Sequence, residues 1–313
     1  MFETFLPAIA LFAAGWVLSI VKGDRRSMPR RSPRVRRRGA KRSPASTLTG
    51  DVRRIASFRS NILGNCRPVW VWLPPGYRTD RRRRYPVLYM QDGQNCFDAA
   101  TSFAGEWCAD ETADRLIRAG EIPPIILVAV ANAGEARATE YTSSVDPKMN
   151  MGGGRADDYT AFLLDELKPV IDRRFRTLPG RETTGVAGSS LGGLISMHIA
   201  ATRPEAVGLC AALSPSLWWN RKAPLKEIAA NPGWTARCRF WFDMGTAEQA
   251  PDGSGERVSD TRKLARILRK ADRREGQHFQ YLEVPGGQHN EAAWADRFDR
   301  VLKFLFARQP DPE

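Results

Sequence analysis

The residues most able to do chemistry are a serine and its flanking glycines at 188–192, which read Gly-Ser-Ser-Leu-Gly. They match G-x-S-x-G, a pattern in which a serine occupies a sharp turn between a strand and a helix and attacks an acyl carbon. The surroundings agree, because 183–187 is predicted as a short buried strand and 191–201 as a helix. The spacing therefore predicts a nucleophile elbow.

Ser190, and not Ser189, is the predicted nucleophile of this turn. Residues two before and two after the nucleophile crowd each other, so only small side chains fit at those positions. Ser190 has Gly188 and Gly192 there, whereas Ser189 would have Leu191 on one side.

A histidine and several acids follow the serine along the chain. A predicted strand at 280–284 leads into a glycine-containing loop that carries His289, and a predicted strand beginning at Arg239 leads into a loop that carries acids. Ser, acid, His is the chain order of α/β-hydrolases and not that of the chymotrypsin or subtilisin folds. A serine hydroxyl needs a base within hydrogen-bond reach, and His289 is the predicted base.

Three acids could orient that base. Glu248 lies in the loop after its strand, where this fold places its acid, and is preferred. Asp243 lies within the strand and could point to either face, and it is the second choice. Asp252 lies further along the same loop and stays open as a third.

Two backbone N–H groups are needed to hold the oxyanion, each worth roughly 2.7–4 kcal/mol of the barrier. One is predicted from Leu191, directly after the nucleophile. The other is predicted from the loop after the strand at 85–90, where Gly93 and Gln94 are available and Gln94 is the chosen donor.

Four further residues have weaker signals for substrate binding. Trp218 and Trp219 follow a predicted strand at 207–213 and could wall an acyl pocket, although packing explains them equally well. Arg137 and Glu140 follow an apolar strand and could contact substrate, or they could form an ordinary surface pair.

Composition limits the class of protein. The chain has 313 residues, 42% of them hydrophobic, which suits one large α/β domain with short extensions. The net charge of +13 is uneven, because 22–42 holds eleven Lys and Arg residues and one acid. The chain from residue 43 onwards is nearly balanced, so no nucleic-acid partner is expected.

Cysteine and histidine spacing gives no sign of a metal site. The five cysteines form no C-x-x-C pair and are predicted as buried or free thiols, with a Cys96–Cys108 disulfide as the alternative. The three histidines are too scattered for a metal site. No metal and no organic cofactor are predicted.

Residues 1–21 form a hydrophobic segment that carries no charge after Glu3. Its length just reaches the roughly 17–25 residues of a spanning helix. Positive charge follows this segment, whereas a cleaved signal peptide begins with it, so an anchor with a cytoplasmic catalytic domain is predicted. An atypical signal peptide on a secreted protein is one alternative, and a soluble cytoplasmic protein translated from Met28 is another.

Residues 22–50 are predicted as a basic, disordered linker rich in Arg, Ser and Pro. Its basic part, 22–42, could bind an anionic membrane surface at about 1 kcal/mol per basic residue. A solvated tether without a lipid partner explains the composition equally well.

Predicted strands and helices alternate over 51–308, the predicted catalytic domain. Helices are predicted at 158–175, with a kink at Pro169, at 256–271 and at 290–307. The alternation predicts an α/β fold with a mostly parallel central sheet and helices on both faces. Serine, acid and histidine each follow a strand, so this fold brings them to one edge of the sheet.

Six segments together resemble the putative esterase family, also called the esterase D or enterochelin-esterase-like family. They are DGQNCFD (92–98), EWCADETADRL (106–116), GSSLGG (188–193), SPSLWW (214–219), GTAE (245–248) and PGGQHNEAAW (285–294). The resemblance covers about 51–307 and implies the α/β-hydrolase fold and ester cleavage without metal or organic cofactor. It also implies Ser190 as nucleophile, His289 as base, Glu248 as acid and Gln94 in the oxyanion loop. Some siderophore esterases of this type work with little help from an acid, which leaves the role of Glu248 open.

The sequence therefore predicts a serine carboxylic-ester hydrolase that acts on a small-molecule ester through an acyl-enzyme. Within this class a siderophore ester is favoured, because SPSLWW and GGQHNEAAW resemble the siderophore esterases. The alternatives are a feruloyl or acetyl-type esterase and an acyltransferase with the same triad. A non-catalytic binding module is the weakest of the alternatives.

Overall fold

An eight-stranded sheet runs through the computed structural model, which describes residues 45–249 and 257–307. The strand order is β1-β2-β4-β3-β5-β6-β7-β8. The strands are β1 (Asp51–Arg59), β2 (Cys66–Leu73), β3 (Val87–Met90), β4 (Ile126–Val130), β5 (Thr184–Ser189), β6 (Leu209–Leu213), β7 (Arg239–Gly245) and β8 (Phe279–Val284). Strand β2 is antiparallel to both β1 and β4, and all other neighbours are parallel. The predicted mostly parallel sheet is confirmed.

Helices cover both faces of this sheet. They are α1 (Ala109–Arg118), α2 (Arg137–Tyr141), α3 (Ala156–Ala161), α4 (Lys168–Arg174), α5 (Leu191–Thr202), α6 (Trp219–Ala230), α7 (Val258–Lys270) and α8 (Glu291–Phe306). Helices α1 and α8 contribute to one hydrophobic core, and α3, α5 and α7 contribute to the other. The helix predicted at 158–175 is divided, because a π-helical segment, Phe162–Leu167, separates α3 from α4. Pro169 lies in the first turn of α4, where a missing N–H is tolerated.

Alternation along the central strands explains the two cores. In β3, Val87 and Tyr89 point into one core, while Leu88 and Met90 point into the other. Successive side chains of a strand face opposite sides of the sheet. A central strand with apolar residues at every position therefore needs helices on both faces, as predicted from the continuous apolar run that forms β4.

Contacts with the domain begin before residue 51. Ser46 Oγ donates to Asp98 Oδ2 at 3.0 Å, and the Thr49 N–H donates to Asp110 Oδ2 at 2.7 Å. Trp72 Nε1 donates to the Thr49 carbonyl at 2.8 Å. The last residues of the predicted linker therefore pack on the domain, because their backbone groups satisfy buried polar groups.

The predictions for residues 1–21 and 22–42 lie outside the described residues. Within the described part, no helix has both the length and the apolar composition needed to cross a membrane.

All five cysteines are free thiols, so the alternative of a Cys96–Cys108 disulfide is wrong. Cys96 is buried, and burial raises the pKa of its thiol. A buried, protonated thiol is unreactive, which agrees with the prediction of buried or free thiols.

Candidate active site

Ser190 is the single residue that connects β5 to α5. Its backbone has a conformation that most L-residues avoid, φ 57° and ψ −122°. The chain turns so sharply here that a Cβ on Gly188 would lie 2.5 Å from the carbonyl carbon of Gly192. A Cβ on Gly192 would lie 2.8 Å from Asp92 Oδ2. The contact at Gly188 is with backbone, so Gly188 is a steric requirement of the turn, whereas a side chain at Gly192 would have to displace the Asp92 carboxylate.

Three polar side chains meet beyond the carboxyl ends of β5, β7 and β8. Ser190 Oγ lies 2.9 Å from His289 Nε2, and His289 Nδ1 lies 2.6 Å from Glu248 Oε2. Both are hydrogen-bond distances. Parallel strands bring these residues to one edge of the sheet, although 99 positions separate the serine from the histidine.

The second-choice acid, Asp243, does not contact His289 within the described part of the chain. It is fully buried, and its Oδ1 lies 2.8 Å from Arg297 Nη2. Its Oδ2 accepts from Trp241 Nε1 at 2.8 Å. Asp243 is therefore committed to an internal ion pair, while Asp252 lies outside the described residues.

The charge state of His289 suits a base. Burial lowers the pKa of the His289 imidazole, and the positive charges of Arg257 and Arg137 lower it further. The hydrogen bond to Glu248 acts in the opposite direction, yet the pKa stays below its usual value. The imidazole is therefore neutral at neutral pH and can accept a proton.

Glu248 is ionised at neutral pH. Burial is the largest single effect and acts to raise the pKa of this carboxyl, but the hydrogen bond and charge of His289, together with the hydrogen bonds from Ser214 and from the Gly245 N–H, outweigh it. The pKa of Glu248 therefore lies below its usual value, and the acid can support an imidazolium opposite it.

Arg257 is a site residue that no sequence pattern indicated. Its Nη1 lies 2.5 Å from Nδ1 and 2.9 Å from Nε2 of His289, and 3.5 Å from Glu248 Oε2. Closeness to both ring nitrogens places the guanidinium over the imidazole ring, since Glu248 and Ser190 occupy the in-plane directions. Its position depends on a contact between two loops, which no local motif records.

The turn after β3 is packed tightly against the elbow. The Gln91 N–H donates to the Ala187 carbonyl at 2.8 Å, and a Cβ on Gly93 would lie 2.4 Å from the carbonyl carbon of Ala129. Gln94 follows, with its Oε1 accepting from the Asn132 N–H at 3.2 Å. This turn therefore has a defined conformation, as a source of an oxyanion donor requires.

The second predicted donor, Leu191, is the first residue of α5. The first N–H groups of a helix have no acceptor within the helix. The Leu191 N–H therefore has no partner within α5 and lies next to Ser190 in the chain, and its role in holding an oxyanion stays a prediction.

Arg137 is bound to Asp92 within the protein, and its predicted contact with substrate stays a prediction. Its Nε and Nη2 lie 2.6 and 2.8 Å from the two carboxylate oxygens of Asp92, which begins the turn after β3. The predicted surface pair between Arg137 and Glu140 is wrong, because Glu140 is buried and forms an ion pair with Arg67 at 2.8 Å. Arg137 therefore orders the turn that carries Gln94.

The SPSLWW segment lies beside the nucleophile. Ser216 Oγ is 3.3 Å from Ser190 Oγ, and the Ser216 N–H donates to the Ser190 carbonyl at 3.1 Å. Trp219 is 1% exposed and donates its Nε1 hydrogen to the Ser144 carbonyl, so packing accounts for it. Trp218 is 6% exposed, and its predicted place in an acyl pocket stays a prediction.

Within the described part, one group of side chains has ligand atoms close enough for a metal ion. Glu106, Cys108 and Glu111 offer atoms within 4.8 Å of one another. They lie at the start of α1 and are not among the residues that meet at Ser190. Partly exposed acidic groups commonly come together in this way without a metal.

A model of the family described as putative esterase matches residues 60–305. The chain is also similar to the uncharacterized protein YbbA of Bacillus subtilis (strain 168), with 25% identity over 80% of this chain and 97% of YbbA. The ferri-bacillibactin esterase BesA of the same strain is 30% identical over 46% of this chain and 52% of BesA. The chain thus matches about half the length of BesA.

A solved structure has the same fold. The enterobactin esterase FES from Shigella flexneri, crystallised in the presence of enterobactin, aligns with a TM-score of 0.64 and 19% identity. The alignment covers 83% of this chain and 60% of that one. At this identity the likeness shows the fold alone, and it confirms the predicted α/β-hydrolase fold.

Proposed function

This chain belongs to the putative esterase family, and we propose that it hydrolyses a carboxylic ester through an acyl-enzyme formed on Ser190. One observation carries the proposal. Ser190, His289 and Glu248 form an unbroken series of hydrogen bonds, at 2.9 and 2.6 Å, in which the neutral imidazole stands between hydroxyl and carboxylate. This is the arrangement that activates a serine.

The geometry supports a two-stage reaction. Ser190 Oγ attacks the ester carbonyl carbon while its proton passes to His289 Nε2, and the N–H groups of Leu191 and Gln94 hold the oxyanion. The ester C–O bond then breaks, and the imidazolium protonates the leaving alcohol oxygen. Water attacks the acyl-enzyme with His289 as base, which releases the carboxylic acid and restores the hydroxyl.

Labelling with a fluorophosphonate probe tests this proposal. The wild type is expected to react at Ser190, and Ser190→Ala is expected to lose the label. Ser189→Ala is the matched control, because it removes the neighbouring hydroxyl of the same elbow and should leave labelling intact. An unlabelled wild type, or equal labelling after Ser190→Ala, would contradict the enzyme proposal.

A siderophore ester is the substrate class that the relatives support. BesA is named for ferri-bacillibactin and FES for enterobactin, and their alignments cover 46% and 83% of this chain. Hydrolysis of a catecholate triester should exceed that of p-nitrophenyl and feruloyl esters in kcat/KM. A preference for feruloyl esters would favour the alternative esterase, and transfer to an added alcohol in place of hydrolysis would favour an acyltransferase.

The amino-terminal segment adds a separate proposal, supported by its sequence alone. Residues 1–21 anchor the chain in a membrane, and 22–42 contact anionic headgroups. The full chain should then bind vesicles containing phosphatidylserine, and a chain that begins at Met28 should bind them only through its basic segment. Recovery of a chain cleaved after the hydrophobic segment would favour a signal peptide instead.

A further inference from the structure

Ser214 lies behind Glu248, on the side of the acid remote from His289, and has three hydrogen-bond partners. Its Oγ lies 2.7 Å from Glu248 Oε1, 3.0 Å from Trp294 Nε1 and 2.8 Å from Arg297 Nη2. All four residues are at most 4% exposed, so water does not compete for these bonds.

The chemistry of the partners determines which way the Ser214 hydroxyl points. An indole N–H and a guanidinium N–H donate only, so Trp294 and Arg297 use the two lone pairs of the oxygen. A hydroxyl has a single hydrogen, and Glu248 is the remaining acceptor. The Ser214 hydrogen is therefore directed at Glu248 Oε1 and cannot turn to another acceptor without breaking a buried hydrogen bond.

We propose that Ser214 is a positioning residue that holds Glu248 as an oriented carboxylate behind His289. The inference rests on the proposed function, because it assigns a role within that same site. Ser214 acts through Glu248 and does not touch the substrate.

The orientation of the acid follows from this bond. Glu248 Oε1 accepts from Ser214 Oγ and from the Gly245 N–H at 3.0 Å, which leaves Oε2 for His289 Nδ1. Because an ionised carboxylate only accepts, the imidazole hydrogen must lie on Nδ1. The Nε2 lone pair then faces Ser190, as a general base requires.

A second acid keeps the arrangement electrically balanced. Arg297 Nη2 donates to Asp243 Oδ1 at 2.8 Å as well as to Ser214. The carboxylate of Asp243 thus offsets the charge of the Arg297 guanidinium that donates to Ser214. This gives Asp243 a positioning role of its own, although it does not contact His289.

The backbone at Ser214 is strained, so glycine can replace Ser214 without a change of backbone conformation. Its φ is 44°, in the left-handed region, and its N–H donates to Asp243 Oδ1 at 3.1 Å. Glycine adopts positive φ without the strain of a side chain. Ser214→Gly therefore removes the hydroxyl while it keeps the backbone conformation and the backbone hydrogen bond.

Two measurements on Ser214→Gly test the proposal. The kcat for an ester is expected to fall by up to about 100-fold with KM little changed, because the base is no longer held in its productive orientation. The proton resonance of the His289 Nδ1–H, measured without substrate, is expected to move upfield as its bond to Glu248 weakens. The melting temperature is expected to fall, because Trp294 Nε1 loses its buried acceptor, so both measurements are made where the variant is folded.

Ser60→Ala is the matched control. Ser60 is also buried and also donates to a glutamate, Glu166, at 2.5 Å. This variant removes a serine–glutamate bond between the residue after β1 and the π-helical segment Phe162–Leu167, so kcat and the Nδ1–H resonance should not change.

An unchanged kcat and an unchanged Nδ1–H resonance in Ser214→Gly would overturn the proposal. If the glycine variant does not fold, Ser214→Cys serves instead, since a thiol is a weaker donor and should give an intermediate loss of kcat. Wild-type activity in Ser214→Cys, together with the wild-type resonance, would equally overturn it. The resonance is observed without catalysis, so failure of this proposal is distinguishable from a wild type that lacks esterase activity.

Discussion

The backbone of Ser190 holds a conformation that costs about 1–3 kcal/mol, and the surrounding glycines are what make it attainable. The strain lifts the hydroxyl clear of the sheet and directs it at His289, 2.9 Å away. The neutral imidazole then depends on opposing effects, because burial and two arginines lower the pKa of His289 while Glu248 raises it. At the residue scale, the proposed chemistry therefore depends on the strained backbone of Ser190 and on the opposing effects that determine the pKa of His289.

A methyl group at Gly188 should disrupt the elbow. In Gly188→Ala the new Cβ would lie 2.5 Å from the Gly192 backbone, which must move. We expect a loss of about 1–3 kcal/mol in the free energy of unfolding, measured by urea denaturation, together with a lower kcat. Gly180→Ala is the control, because Gly180 has φ −69° and the added Cβ would lie 4.0 Å from Thr183 Oγ1, an ordinary contact. Equal stability of the two variants would contradict the steric argument.

The pH dependence of kcat/KM should report the lowered pKa of His289. The base works in its unprotonated form, so activity rises with pH, and its midpoint should lie below the usual histidine pKa of about 6.5. In Glu248→Gln the charge that raises this pKa is lost, so the midpoint should fall further. The kcat should fall by up to about 10⁴-fold. A midpoint above the usual histidine value in the wild type would show that burial and the arginines do not dominate.

The oxyanion donor and the base lie on different elements, which must keep a fixed position relative to one another. The turn after β3 carries Gln94, and the loop before α8 carries His289. Asn95 Nδ2 donates to Glu291 Oε1 at 3.0 Å, which joins this turn to the first residue of α8. The bond therefore links the predicted oxyanion donor to the base through two neighbouring elements.

Removal of this link should lower catalysis more than stability. In Glu291→Ala we expect kcat to fall by up to about 100-fold, since the turn and the histidine loop can shift relative to one another. Glu291→Gln keeps an acceptor oxygen for Asn95 and should restore most of the activity. Steady-state kinetics on both variants checks this, and equal losses would show that the charge of Glu291 matters more than its hydrogen bond.

At the scale of the whole molecule, the sheet separates two hydrophobic cores and leaves one edge for chemistry. Strands β3 to β8 run parallel, so the loops after β3, β5, β7 and β8 all open at that edge. Residues 45–50 contribute to stability from the side of α1, where Thr49 contacts Asp110 and Trp72.

Truncation distinguishes the domain from the segment before it. A chain that begins at residue 45 should unfold at the same urea concentration as the full protein. A chain that begins at 51 loses the partners of Asp110 and Trp72, each of which costs about 1–3 kcal/mol when left unsatisfied. Equal unfolding midpoints for the two truncated chains would show that the domain begins at 51, as the sequence predicts.

Local features of the chain predicted much of this protein. The nucleophile elbow could be predicted because the small residues that its turn requires lie within five consecutive positions, 188–192. The parallel sheet was visible because continuous apolar runs, such as the one at Ile126–Val130, need helices on both faces. The edge strand β1 was missed, since its half-exposed residues lack a clear apolar alternation.

The sequence by itself determined the fold class and the approach of Ser190 to His289, because strand–loop order alone sends both to one edge. Only the tertiary structure placed Glu248 on His289 and Asp243 on Arg297, turned Arg137 towards Asp92, and brought Arg257 and Ser214 to the site. These outcomes depend on the direction of single side chains between loops far apart in the chain. Burial, hydrogen-bond polarity and packing select those directions, and none of these is a property of a local stretch of residues.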